Sequence, residues 1–277
     1  MIPTFQNKDE LYEYLKLNKD LLVRQKKSQM KYADAISFNQ IADESEVVEK
    51  GMHNGVEEDP KKLRVKAVIN TTNIMDSHDD VHFPNLWKKS LSENKNILHL
   101  QEHQMQFDKL ISDKVNAYTE NISWSKMGYP YEGKSQALIF DSEIDVEDNG
   151  YMFEQYKKGR VRNHSVGMQY VKVSLAVNSK DSAFKEEKDT WNKYIDSIVN
   201  KEVAEEKGYF FAVTEAKVIE GSAVLVGSNR ATPTLSVSEA EKELAIPDTS
   251  EHITEEPQPC TPKVDWNFII NTLKTQK

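Results

Sequence analysis

Residues 164–177 read HSVGMQYVKVSLAV, and residues 208–219 read GYFFAVTEAKVI. Both segments are rich in β-branched and aromatic residues, which favours strands over helices. Five further segments between residues 63 and 228 have the same texture, with turn residues between them: LRVKAVINTT, KNILHLQEH, LISDKVNAYTE, QALIFDSEID and GSAVLVGS. The sequence therefore predicts a sheet-forming core over residues 63–232.

Helical patterns interrupt this core. Pro84 to Glu93 has Pro near its start and Gly150 to Lys158 ends at a Gly, as helices often do. Residues 180–207 form a charged helical insertion, with four apolar side chains on one side: Trp191, Tyr194, Ile195 and Ile198. A mostly β core with attached helices indicates the α+β class, as a barrel or a sandwich.

The two ends of the chain have different compositions from the core. Residues 8–28 predict an amphipathic helix packed on the main domain, with these side chains on one side: Leu11, Tyr14, Leu15 and Leu22. Together with a charged linker at 43–62, this helix makes residues 1–62 an N-terminal arm. Residues 233–277 predict an acidic, disordered linker with a short docking helix at 264–274.

Composition excludes several classes of function. The net charge of -9 over 277 residues argues against direct nucleic-acid binding, which needs clustered Lys and Arg. The sequence has no long apolar run and no signal peptide at its start, so we expect a cytoplasmic protein that does not bind membranes. Cys260 is the single cysteine, so neither an intrachain disulfide nor a Cys-based metal cluster is expected.

Three segments carry residues capable of chemistry. The first, NILHLQEH, contains His99 and His103, and the second places Ser165 at the start of a long strand. In the third, Glu220 sits in an apolar run, where an ionised carboxylate is costly without a partner.

Taken in order, these segments resemble the prohead serine proteases of tailed bacteriophages, which look related to the herpesvirus assemblins. The resemblance covers roughly residues 63–232. MDSHDDVHFPNLWKKSL corresponds to the family's turn and helix, and LQEHQMQFDKLIS to its His strand. The family's nucleophile motif is matched by Ser165-Val166-Gly167-Met168. Its final strand is matched by Glu220-Gly221-Ser222-Ala223-Val224, and the end of that strand by Gly227-Ser228-Asn229. Two features depart from the family: Ser112 stands where Gly is frequent, and the 180–207 insertion is long.

The resemblance implies a mainly antiparallel β-barrel with peripheral helices, and peptide hydrolysis by a serine endopeptidase. Ser165 would be the nucleophile and His103 its general base. By position, Glu220 would orient the imidazole, with Glu215 and Asp80 as alternatives. The loop from Gly227 to Arg230 would supply the oxyanion hole.

The same resemblance implies a biological setting. The substrates would be the phage scaffold protein, the major capsid protein or both, cleaved inside the immature prohead in the host cytoplasm. We expect a homo-oligomer that needs no cofactor and no metal. The acidic linker and its terminal helix would tether the enzyme to the scaffold.

Other interpretations of these residues remain open. His99, Glu102 and His103 fit the H-x-x-E-H pattern of inverted zinc peptidases, which requires a helix that brings both imidazoles to one face. The segment from His78 to His82 could suggest a metal site, but a charged turn before a helix explains it as well. His164 should face away from Ser165 and have a structural role. A non-enzymatic scaffold or assembly protein with a degenerate protease-like domain is the alternative from another class.

Overall fold

Ten β-strands and five α-helices make up the part of the chain that the computed structural model describes, residues 2–28, 30–31 and 60–240. The strands are β1 Met30–Lys31, β2 Lys62–Thr71, β3 Asp80–His82, β4 Leu98–Gln101, β5 Leu110–Ser112, β6 Val115–Ser123, β7 Lys134–Asp145, β8 Asn163–Val177, β9 Tyr209–Val224 and β10 Thr234–Glu239. The helices are α1 Lys8–Ser28, α2 Lys88–Glu93, α3 Val146–Lys157, α4 Lys185–Tyr194 and α5 Lys201–Lys207. The predicted α+β class is confirmed.

The strands form two sheets. The first has the order β1-β8-β9-β4-β5, with β3 pairing to β9 beside this path, and the second has the order β10-β2-β7-β6. Most pairs are antiparallel, but β3 and β4 both run parallel to β9. Within the described residues the ladders do not close on themselves, so the expected closed barrel is replaced by two open sheets.

The two sheets pack against each other through one main hydrophobic cluster. Val166 of β8 and Val218 of β9 share it with Leu138 and Phe140 of β7. The approach is close at Gly221 of β9, where a Cβ would lie 2.4 Å from the Phe140 ring. The face of β9 that carries Gly221 therefore points inward, and its neighbours in sequence point to the outer face.

The N-terminal helix packs on the main domain, as its apolar stripe predicts. Leu11, Leu15 and Leu22 are buried in the main cluster, and α1 lies against β8. Leu17, off the stripe, is 81% exposed.

The helical insertion also forms as predicted. Its apolar side chains Trp191, Ile195 and Ile198 are buried in a second cluster with Phe210, and Tyr194 packs partly buried against it.

Several boundaries differ from the prediction. The helix expected over Pro84 to Glu93 begins only at Lys88, and α3 begins at Val146, where the Asp145 carboxylate caps it by accepting from the Glu147 amide. Gly150 therefore lies inside α3.

The chain after residue 232 is not all linker. Thr234–Glu239 forms β10, an edge strand paired with β2, because Leu235 and Val237 can pack on hydrophobic clusters. The rest of the predicted acidic linker and the helix at 264–274 lie outside the described residues, as do residues 43–59 of the predicted N-terminal linker. No helix in the described part of the chain combines the length and the apolar character that crossing a membrane requires.

A buried ion pair anchors the last turn of α1. Lys26 donates to the fully buried Asp80 carboxylate and to the His78 carbonyl, 2.7 Å away. Asp80 also accepts from the Tyr170 hydroxyl at 2.8 Å. Burial, with the nearby Asp80 charge as the second cause, raises the pKa of Asp76 in the same turn to about 7. Lys26 thus supplies positive charge beside two neighbouring carboxyl groups, of which that of Asp80 is fully buried.

Replacing Lys26 with methionine should destabilise the fold by about 3–5 kcal/mol, because it leaves the buried Asp80 carboxylate without its cation. Urea unfolding at pH 7 measures this loss. Lys16→Met is the matched control on the same helix, since the Lys16–Asp181 pair is exposed and should contribute little. Equal effects of the two substitutions would contradict the role of the Lys26 anchor.

Candidate active site

Three adjacent strands, β8, β9 and β4, bring the predicted site residues to one face of the first sheet. Ser222 of β9 is the Cα partner of Ser165 on antiparallel β8 and of Leu100 on parallel β4. Directly opposed residues of neighbouring strands project to the same side of a sheet, and residues two apart on one strand do so as well. Ser165, Ser222 and Glu220 therefore share the outer face of this sheet.

His103 reaches this face from a tight turn after β4. The Glu102 amide donates to the Ala223 carbonyl at 3.0 Å, and the Gln104 amide closes the turn onto the Gln101 carbonyl at 3.0 Å. Glu102 and His103 have φ values of 53° and 59°, a region that residues other than glycine rarely adopt. Such a conformation persists only where its surroundings hold it, and it is frequent at functional sites.

The His103 ring is hydrogen-bonded to the Glu220 carboxylate. His103 Nδ1 and Glu220 Oε1 are 2.6 Å apart, with the side chains 7% and 0% exposed. The other carboxylate oxygen, Oε2, accepts from the Ser222 hydroxyl at 2.6 Å. An ionised carboxylate can only accept, so the neutral imidazole carries its proton on Nδ1 and has its lone pair on Nε2. This is the tautomer of a general base for a serine hydroxyl.

Gly167 of β8 makes room for the carboxylate. It is opposite Glu220, and a Cβ there would lie 1.9 Å from Glu220 Oε1. Just beyond this pair the register of β8 and β9 shifts at a β-bulge. A β-bulge beside a functional site changes the direction of nearby side chains. Here the bulge lies next to Glu220, which is hydrogen-bonded to the His103 imidazole.

Ser165 lies one strand away from the His103–Glu220 pair and is 6% exposed. Within the described residues its hydroxyl makes no hydrogen bond, so the Ser165–His103 bond is not formed in this structure. Hydrogen bonds between catalytic groups often tighten only when substrate binds. The structure thus joins two of the three predicted residues and places the third on the same face.

The alternatives for the third residue are engaged elsewhere. Glu215 pairs with Lys172 and lies 3.9 Å from Lys89, and the Lys172 contact lowers its pKa. Asp80 forms the buried ion pair with Lys26. Among the three carboxylates considered, Glu220 is the one that contacts His103.

The H-x-x-E-H pattern lacks the helix that a zinc site requires, because Leu98–Gln101 is a strand and a turn follows it. His99 is fully buried on the inner face, between the Ser142 hydroxyl and the Tyr156 hydroxyl at 3.0 Å each. His103 projects to the outer face, and Glu102 is exposed. The His78–His82 segment is a charged turn followed by β3, and its two carboxylates are bound to lysines: Asp79 to Lys207 and Asp80 to Lys26.

The segment predicted to supply the oxyanion hole packs tightly beside Ser165. A Cβ at Gly227 would lie 2.8 Å from the His164 carbonyl oxygen, so only glycine permits this approach. The buried Asn229 side chain fixes the loop by donating to the Thr71 carbonyl and accepting from the Ala231 amide, both at 3.0 Å. The loop is therefore built into the fold next to the predicted nucleophile.

A buried histidine network lies behind the site, on the inner face. His164 Nδ1 donates to the Thr232 carbonyl at 3.1 Å, and the Tyr156 hydroxyl donates to His164 Nε2 at 3.0 Å. The Tyr156 oxygen then accepts from His99, whose other nitrogen accepts from Ser142. This network ties α3, β4, β7 and β8 together behind the predicted catalytic residues, which confirms that His164 faces away from Ser165.

Both histidines of this network are held neutral. Burial lowers the pKa of His99 to about 3, with His164 as the second cause. Burial also lowers the pKa of His164 to about 4, against the opposing effect of the Thr232 carbonyl. Because the unfolded chain binds protons at these positions below its ordinary pKa of about 6.5, stability is lost as the pH falls from about 6.5 toward 4.

Sequence reasoning missed two side chains that support the site, Ser222 and Tyr156. The signal for Ser222 is its position two residues from Glu220 on a strand, which puts both side chains on one face. Tyr156 carries no local signal, because its contacts with His99 and His164 depend on the tertiary packing of α3.

Replacing His164 with glutamine should reduce the pH dependence of stability. Between pH 7 and pH 5, protonation of this residue in the unfolded chain costs the wild-type protein about 2 kcal/mol of unfolding free energy. The stability gap between wild type and His164→Gln should shrink by this amount at pH 5, as urea unfolding at the two pH values measures. A gap that stays constant with pH would show that His164 is not held neutral.

Replacing Gly167 with alanine should displace the Glu220 carboxylate and destabilise the fold by roughly 1–3 kcal/mol through overpacking. Thermal or urea unfolding measures the loss. Gly150→Ala in α3 is the control, because the nearest atom to its new Cβ is Val146 Cγ2 at 3.9 Å. A Gly167→Ala protein as stable as Gly150→Ala would contradict the close approach to Glu220.

Comparison with known proteins gives no relative for this chain. No protein-family model, no curated protein and no solved structure matches it.

Proposed function

We propose that this chain is a serine endopeptidase of the phage prohead-maturation kind, with an assemblin-like catalytic domain. One observation carries the proposal: the His103–Glu220 hydrogen bond at 2.6 Å, on the same sheet face as Ser165. Imidazole and carboxylate in this arrangement form the proton-accepting half of a catalytic triad. The order of Ser165, Glu220 and the Gly227 loop in the resembling motifs supports the same assignment.

The chemistry follows from these groups. Ser165 Oγ attacks the carbonyl carbon of the scissile peptide bond, and its proton passes to His103 Nε2. Glu220 stabilises the imidazolium through Nδ1. The proton then moves to the leaving amine, the peptide C–N bond breaks, and an acyl-enzyme remains on Ser165. Water, deprotonated by the same imidazole, hydrolyses the ester and restores the serine.

The Gly227–Arg230 loop is the proposed oxyanion hole. Its contact with the His164 carbonyl brings the loop backbone beside β8, one residue before the nucleophile. Backbone amides there would stabilise the negative charge on the carbonyl oxygen during attack.

The biological role extends this proposal. The substrates are the scaffold protein, the major capsid protein or both, and cleavage takes place in the immature prohead in the host cytoplasm. The enzyme acts as a homo-oligomer without cofactor or metal, and the acidic tail tethers it to the scaffold. Because β10 extends to Glu239, the tether is best removed by ending the chain at Ala240 rather than at Arg230.

A fluorophosphonate probe tests the nucleophile directly. The wild-type protein should form a covalent adduct at Ser165, located by peptide mass spectrometry, since such probes react with serines activated by an imidazole. Ser165→Ala should abolish the adduct, and His103→Gln should slow it by about 10²-fold or more, the usual contribution of a general base.

Ser174→Ala is the matched control, because Ser174 is an exposed serine on the same strand. In the Ser174→Ala protein, the adduct on Ser165 should form at the wild-type rate. An adduct on another serine, or a folded protein that forms none, would contradict the assignment. Retention of scaffold and capsid cleavage by Ser165→Ala would do so as well. Normal assembly with Ser165→Ala and no cleavage in the wild type would favour the non-enzymatic assembly protein.

A further inference from the structure

Ser222 lies at the centre of the site, between the strands that carry the predicted nucleophile and the base. It is fully buried on β9, opposite Ser165 on one side and Leu100 on the other. Its hydroxyl makes two hydrogen bonds. It donates to Glu220 Oε2 at 2.6 Å and accepts from the His103 backbone amide at 3.0 Å.

The directions of these two bonds are fixed by chemistry. A backbone amide can only donate and an ionised carboxylate can only accept, so the single hydroxyl proton of Ser222 must point to Glu220. The bond to a charged acceptor is also the stronger kind. The hydroxyl therefore has one stable orientation and does not compete with Ser165 for the imidazole.

Each bond controls one partner of the acid–base pair. The bond to Oε2 limits rotation of the Glu220 carboxylate and keeps Oε1 directed at His103 Nδ1. The bond to the amide holds His103 in its left-handed conformation, which is unfavourable for a residue other than glycine. One oxygen atom thus fixes both the carboxylate and the backbone of the imidazole.

We infer that Ser222 is a positioning residue, which sets the geometry of the Glu220–His103 pair for proton transfer without contacting the substrate. The expected effect of Ser222 on the reaction rate of Ser165 rests on the proposed function. Its effect on the geometry of the Glu220–His103 pair does not depend on that function.

The test compares Ser222→Ala with Ser135→Ala. Ser135 is an equally buried serine of the second sheet, which donates to the Thr72 carbonyl and accepts from the Thr72 amide, both at 2.9 Å. It also has a longer contact of 3.4 Å with the Thr72 hydroxyl. The control therefore loses at least as many buried hydrogen bonds as Ser222→Ala, but away from the site.

The first readout is the rate of labelling by the fluorophosphonate probe. Ser222→Ala should lower the maximal inactivation rate constant about 10- to 100-fold, the range typical of groups that orient a functional side chain. The half-saturating probe concentration should stay unchanged, because Ser222 does not contact the probe. Ser222→Thr, which keeps a hydroxyl, should restore most of the rate, and Ser135→Ala should keep all of it.

The second readout is independent of catalysis. The Nδ1 proton of His103, held in a 2.6 Å bond to a carboxylate, should give a strongly downfield proton resonance, assigned by its absence in His103→Gln. The signal should be lost or shifted upfield in Ser222→Ala and persist in Ser165→Ala and Ser135→Ala. If Ser222→Ala does not fold, Ser222→Cys replaces it, since a thiol is a weaker donor and acceptor.

The outcomes separate the two proposals. Loss of the His103 resonance in Ser222→Ala would support the positioning role, even if the probe never labels the wild-type protein. Absence of labelling in the wild type would reject the hydrolytic function. An unchanged resonance and an unchanged inactivation rate in folded Ser222→Ala would overturn the inference. An adduct on Ser222 itself would overturn it as well.

Discussion

The pairing of β9 with β8 on one side and with β4 on the other is the constraint on which the site depends. It places Ser165 and the turn that carries His103 next to the same two residues, Glu220 and Ser222. A carboxylate buried to 0% exposure is tolerated there because the imidazole and a hydroxyl both donate to it. The requirement to satisfy this carboxylate and the requirement to orient a base are met by the same contacts.

The two faces of the first sheet have separate roles. The outer face carries the candidate catalytic groups, and the inner face carries neutral histidines bound to Tyr156 and Ser142. His164 and Ser165 are neighbours in sequence but belong to different networks, since successive strand residues point to opposite faces. The inner network fixes the backbone from which the outer groups project.

Local patterns were sufficient to predict the α+β class, the helix at 8–28 and the opposite orientations of His164 and Ser165. They were also sufficient to single out Glu220, because a carboxylate in an apolar run requires a partner. The arrangement of the sheets was not predictable, since the parallel pairing of β4 with β9 joins residues more than 100 positions apart. β10 was missed because its sequence, TLSVSE, is polar and becomes a strand only against the edge of β2.

The burial of α1 has a consequence for limited proteolysis. The helix is held by Leu11, Leu15 and Leu22 in the main core and by the Lys26–Asp80 ion pair, and none of these contacts requires the peptide bonds between Lys31 and Pro60. A nick in that interval would separate the chain into two fragments that stay associated under native conditions. The small fragment would come free only in denaturant, so a band shift on a denaturing gel would not by itself mean that the domain had lost its N-terminal helix.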